Sequence, residues 1–269
     1  MLNLWTGKET WLHRVNPSLK LLASLVLFFI ILLTDNINVL VNLTAAQLLL
    51  LLCCSGQPLR RLGIMMLPFG LLFVSSSVSM MLFGKGDTSW FQWGLIHISE
   101  ESFFRGLHIG LKTVNMALMG LAFALTTQPV ALFYSLMQQA KLPPKYAYSF
   151  MAALRLMPIM VGEFRTLGMA LKVRGVERKA GFRGVYDTLR QYAVPLLAQS
   201  IRRAQRIAVA MEAKRFSAAK ERTYYYRIGF SAGDVYLLAY LALALGIALY
   251  VGLHFPYFHI GDVRYKVNQ

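Results

Sequence analysis

Two heptapeptides set 40 residues apart carry the spacing that most suggests chemistry: Ala170-Leu171-Lys172-Val173-Arg174-Gly175-Val176 and Ala210-Met211-Glu212-Ala213-Lys214-Arg215-Phe216. A guanidinium holds a carboxylate through two parallel hydrogen bonds, whereas an ammonium offers a compact point charge. A cation in the last turn of a helix also complements the negative end of the helix dipole. A glycine just beyond it can take the left-handed conformation that closes the helix. The alignment is a weak internal repeat, and its plainest reading is a pair of helix C-caps. Arg174 and Gly175 complete the first copy. In the second copy the cation is Lys214 or, with a shift of register, Arg215, and a left-handed cap without glycine at 215 costs roughly 1 kcal/mol.

Other chemistries find no support in the residue pattern. No Gly-x-x-x-x-Gly-Lys-Ser/Thr phosphate loop occurs, and Gly84-Lys85-Gly86 is only a turn-like tripeptide. His13, His97, His108, His254 and His259 are scattered, without metal-ligand spacing. Cys53 and Cys54 are adjacent and read as buried small apolar residues. No acid, base and nucleophile set stands out, because the apolar segments hold almost no Asp or Glu. No residue is assigned a catalytic, cofactor-binding or metal-binding role.

The elements that must position the two stretches belong to a membrane protein. The 269 residues are 57% hydrophobic and only 15% charged, where a soluble domain carries about a quarter. The apolar residues gather into runs near the roughly 20 residues that cross a hydrocarbon core. These are Leu21 to Thr34, Val39 to Cys54, Leu62 to Phe83, Gly106 to Thr127 and Ala232 to Phe255. Lys20 and Lys112 are expected to snorkel toward the interfaces, with a buried partner as the alternative for Lys112. The opening residues lack the pattern of a cleavable secretory signal. Lys8, Arg14 and Lys20 precede the first run and Arg60 and Arg61 follow the second. By the positive-inside rule the amino terminus is cytoplasmic and, after five crossings, the carboxyl terminus outside.

Between Gln128 and Phe230 stand 18 of the 28 Lys and Arg residues against five acidic ones, which places +13 of the formal +16 there. This block is patterned. Phe150, Leu154, Met157, Val161, Phe164, Gly168 and Leu171 recur at three- and four-residue steps, as do Leu189, Ala193, Leu197, Ile201, Ala204, Ala208 and Met211. Two long amphipathic helices follow, able to lie against the bilayer interface or the membrane bundle. Pro143-Pro144 opens the first and Gly181 to Gly184 separates the second. Pro158 and Pro195, inside them, are expected to bend them.

At these residues the chain resembles the transmembrane, or T, component of energy-coupling-factor transporters, importers of the ABC type. The likeness rests on Leu142-Pro143-Pro144, on Arg155-Leu156-Met157-Pro158 and on an Ala-x-x-x-Arg-Gly signature at the end of each coupling helix. Arg174 and Gly175 match the first signature, with Ala170 at its head. After Ala210 the second departs, with Lys214-Arg215 in place of Arg-Gly. The resemblance implies a non-catalytic subunit whose cofactor-free coupling helices seat in two ATPase subunits, which bind the ATP. It also implies a small membrane-embedded protein that captures the substrate, a vitamin, vitamin precursor or transition-metal ion, with a lean toward a thiamine precursor.

The expected organisation is an all-α membrane protein of about five transmembrane helices plus two amphipathic cytoplasmic coupling helices. Residues 1–127 form a four-span bundle, 128–230 the basic coupling region, and 231–269 the last span and tail. The rival readings are a conventional ABC permease that binds its own substrate and a membrane-anchored interaction protein. Nucleic acid is not an expected partner, since a basic arm for it would be polar throughout.

Overall fold

The structure is a computed structural model and describes residues 10–83, 89–93, 96–176, 181–216 and 223–258. Gly84-Lys85-Gly86 and His259 lie outside the described residues. In chain order the elements are α1 (Trp11–Arg14), α2 (Pro17–Leu33), α3 (Ile37–Cys54), α4 (Leu59–Phe83), β1 (Ser89–Trp93), β2 (Ile96–Ser99), α5 (Glu100–Thr126), α6 (Pro129–Gln139), α7 (Pro144–Val173), α8 (Phe182–Ala213) and α9 (Ala232–His254). They fall into two compact units, residues 136–227 and the segments on either side.

The flanking segments hold the five apolar helices that the hydropathy runs anticipate. By length and composition α3, α4, α5 and α9 can cross a bilayer, and α2 is a shorter apolar helix of 17 residues. Their starts follow local chemistry. Asn16 caps α2 by accepting from the Ser18 N–H at 3.1 Å, and Pro17 takes the first helical position, where no N–H is needed. Asn36 caps α3 by accepting from the Asn38 N–H at 2.9 Å. Ser99 caps α5 by accepting from the Ser102 N–H at 3.1 Å, with Glu100 and Glu101 favourably placed at the positive end of the dipole. α5 therefore begins at Glu100, ahead of the expected Gly106, and the preceding loop contains an antiparallel hairpin that pairs Phe91 with Ile98.

Packing is tight where helices meet and apolar where they do not. Leu27, Ile31, Val39, Leu40, Leu43 and Ala248 bury one another between α2, α3 and α9. Leu51, Leu62 and Leu118 do so between α3, α4 and α5. A Cβ on Gly106 would lie 2.7 Å from the Ser77 carbonyl oxygen, and one on Gly110 would lie 2.7 Å from the Phe73 ring. These small residues, four apart, let α5 close on α4, and the Ser77 hydroxyl donates to the Gly106 carbonyl at 3.0 Å. Leu22, Leu33, Leu71 and Leu243 remain exposed, as helices that are apolar all round require of their lipid-facing sides.

Lys20 departs from the expectation of snorkelling, and Lys112 takes the alternative of a partner. Lys20 is buried, and its Nζ donates to the Thr126 carbonyl at 2.9 Å. Lys112 donates to the Leu32 carbonyl at 2.8 Å and lies 3.5 Å from Asp35. In both cases the carbonyl lies at or near a helix C-terminus, where the dipole favours a cation. Cys53, expected to be buried, is exposed, and Cys54 is half-buried; both are free thiols.

The unit of residues 136–227 contains α7 and α8, 30 and 32 residues long. Pro144 starts α7 at the tolerated first position, and Gly181 precedes α8 with a φ of +90°. Gly184, expected in the gap, already belongs to α8, while Pro158 and Pro195 sit inside α7 and α8 without interrupting them.

Candidate coupling site

The two repeated stretches fold into the same cap. At the end of α7 the Arg174 N–H donates to the Ala170 carbonyl at 3.1 Å, the Gly175 N–H to Lys172 at 3.1 Å and the Val176 N–H to Leu171 at 3.1 Å. At the end of α8 the Lys214 N–H donates to the Ala210 carbonyl at 3.2 Å, the Arg215 N–H to Glu212 at 2.8 Å and the Phe216 N–H to Met211 at 2.9 Å. Both are Schellman closures, in which a left-handed residue turns the chain back on the last carbonyls. Gly175 has φ +67° and Arg215 has φ +53°.

This bond-for-bond match settles the register of the repeat. Lys214 stands where Arg174 stands, and Arg215 occupies the left-handed position of Gly175. Arg174, Lys214 and Arg215 are all exposed, so their charged groups face outward from the negative ends of two long helices.

The two caps are not brought together. Tyr148, near the start of α7, packs edge-on against Phe216, just beyond the end of α8, with ring centroids 5.2 Å apart. Midway, the Ser200 hydroxyl contacts Met160 Sδ at 3.2 Å, and Arg203 pairs with Glu163. Farther along α7, the Phe164 ring lies 4.8 Å from that of Tyr192. A cleft at the last contact is lined by Leu171, Lys172 and Gly175 from the end of α7 and by Gly184, Asp187 and Thr188 from the start of α8. The rods therefore run antiparallel, and each cationic cap lies beside the other rod's first turns. Ala170, Arg174 and Gly175 form one end of the pair, and Ala210, Lys214 and Arg215 the other.

Much of each apolar stripe is left uncovered. Phe150, Met157, Phe164, Leu189, Leu197 and Ile201 are at least half exposed. The contacts between the rods use Met160, Glu163, Tyr192, Ser200 and Arg203 as well as the stripe. The Glu163 and Arg203 pair was not singled out by periodicity; an acid and a base whose positions differ by the repeat spacing of 40 were the available signal. Among the described residues no group of three or more His, Cys, Asp or Glu could hold a metal ion.

Helices long and apolar enough to span a bilayer, in one chain with a cationic, two-ended helix pair, mark a multi-pass membrane protein. The chain belongs to the CbiQ family, described as cobalt transport proteins, whose model matches residues 8–225. It is similar to the energy-coupling factor transporter transmembrane protein EcfT of Lacticaseibacillus paracasei, 25% identical over 261 residues that cover 91% of this chain and 98% of that protein. EcfT 1 of Listeria monocytogenes is 28% identical over 268 residues, covering 94% and 96% of the two chains. EcfT of Limosilactobacillus fermentum is 28% identical over 245 residues, covering 87% and 91%.

Proposed function

We propose that this chain couples two ATPase subunits to a separate substrate-capturing membrane protein in an energy-coupling-factor importer. The observation that carries the reading is the pair of matched caps, each with an exposed cation, at opposite ends of antiparallel rods. Two ends suit two ATPases, because each can accept a cation in an acidic groove through a charge-assisted hydrogen bond. Arg174 serves one ATPase and Lys214 the other, with Arg215 shaping the second cap. Closure of the ATPase pair on nucleotide displaces the rods.

The exposed stripe residues give the capture protein an apolar surface over which it reorients, since uncovered apolar patches of this extent mark protein or membrane contacts. The amino terminus and the rods face the cytoplasm and the carboxyl terminus lies outside, a topology supported by the basic residues that flank the first and third runs. The cargo is a vitamin, a vitamin precursor or a metal ion, and the capture protein selects it. The family description and the relatives named above do not support the narrower lean toward a thiamine precursor.

Purification of the tagged chain from its native membrane tests the assignment. Two ATPase chains and one small hydrophobic protein are expected in the complex. Recovery of ATPases with no small membrane partner would favour a permease that binds its own substrate, and recovery of neither would dismiss ATP-driven transport.

A further inference from the structure

Among the described residues the chain crosses between its two compact units at 135/136 within α6 and at 227/228 ahead of α9. On the bundle side, residues next to both crossings meet at Asn16, a residue only 2% exposed. The Ser135 hydroxyl, on the last bundle residue before the first crossing, donates to Asn16 Oδ1 at 2.8 Å. Asn16 Nδ2 reaches the Gly229 carbonyl, just after the second crossing, at 3.5 Å. The Asn16 backbone N–H donates to Asp234 Oδ1 at 2.7 Å, while Asp234 Oδ2 accepts from the Ser231 N–H at 2.6 Å. Asn16 also caps α2, and the Ser18 hydroxyl bonds to that of Ser135.

One planar amide thus touches α6, the approach to α9 and the start of α2. Asparagine suits this because its side chain carries an acceptor and a donor side by side. Pro17 holds the preceding backbone out of the helical region, so the amide is presented at a fixed angle. Ser135 and Asp234 are 0% and 3% exposed, so water has little access to replace the bonds they make.

We infer that Asn16 is a positioning residue that gathers the two covalent tethers of the coupling rods and passes their displacement into the membrane bundle. This rests on the coupling reading, because only moving rods give the node something to transmit. Without the amide, the segment at Gly229 loses its bond to Asn16 and α6 is held to α2 only through the Ser18 bonds to Ser135, so part of the rods' displacement is absorbed at the crossings. The bundle then follows less far.

The test is spin-label distance measurement on the complex purified from native membrane, in a Cys53→Ser, Cys54→Ser background, with and without ATP and vanadate. One label pair, Val173→Cys with Val209→Cys, reports the rods. A second, Leu25→Cys with Val235→Cys, reports the bundle. All four positions are exposed. In the otherwise unaltered chain both distances should change with nucleotide. In Asn16→Ala the rod distance should still change and the bundle distance should change by less; Ser135→Ala, which removes the bonds of α6 to both Asn16 and Ser18, should show the same split. A bundle response equal to that of the unaltered chain in both variants overturns the role of Asn16. If Asn16→Ala does not assemble, Ser135→Ala alone decides, and a full bundle response there overturns it. A rod distance insensitive to nucleotide in the unaltered chain instead refutes the coupling reading, while a moving rod pair over a still bundle refutes only the node.

Discussion

Arg215 holds a backbone conformation that its own side chain opposes. At φ +53° its Cβ crowds the backbone, whereas Gly175 takes the equivalent position without that cost. Arg215→Gly should therefore stabilise the end of α8 by about 1 kcal/mol, less what glycine's freedom in the unfolded chain returns. Thermal unfolding in detergent reads the change; a lowered midpoint would mean that the Arg215 side chain makes a stabilising contact that outweighs the strain. The same variant keeps Lys214, so it also separates the shape of the cap from its charge. Lysine at 214 lacks the planar fork of Arg174, and the two ends should differ in how sharply they discriminate carboxylate geometry.

At the level of helices, α5 approaches α4 closely at Gly110, where an added Cβ would collide with the Ser77 hydroxyl oxygen and lie 2.7 Å from the Phe73 ring. Gly110→Val should lower stability by about 1 to 3 kcal/mol through overpacking, measured by thermal unfolding in detergent. An unchanged midpoint would show that α4 can shift away. Helices of this kind were legible because long apolar runs and three- and four-residue periodicity are local signals. The ends of α7 and α8 were legible for the same reason: Arg174-Gly175 and Lys214-Arg215 sit where the periodicity stops. What escaped was long-range. Asn16, Ser135 and Asp234 belong to no periodic pattern, and only the folded chain brings them within hydrogen-bond reach. Lys20 does not snorkel, because snorkelling assumes a side chain with only lipid or water to choose from, whereas it finds the Thr126 carbonyl on a neighbouring helix; Lys112 takes the alternative of a partner, at the Leu32 carbonyl and Asp35. Ser99 to Glu101 carried a capping signal for α5, obscured because the hydropathy run starts later.

For the whole molecule, the charge distribution and the helix pair make one statement. Most of the formal charge lies between Gln128 and Phe230, and that stretch includes a rod pair whose two caps point cations away from opposite ends. A solvated basic tail would need no such duplication, and a catalytic centre would draw its residues together where these are held apart. The account stands or falls on what touches the two caps. Photo-crosslinking residues placed at 174 and at 214, with a control at exposed Leu243 on α9, in cells or native membranes, give the direct reading. Both cap positions should capture a polypeptide carrying a nucleotide-binding phosphate loop, and the control should not. Capture of only lipid, or of no ATPase at either cap, would contradict the account.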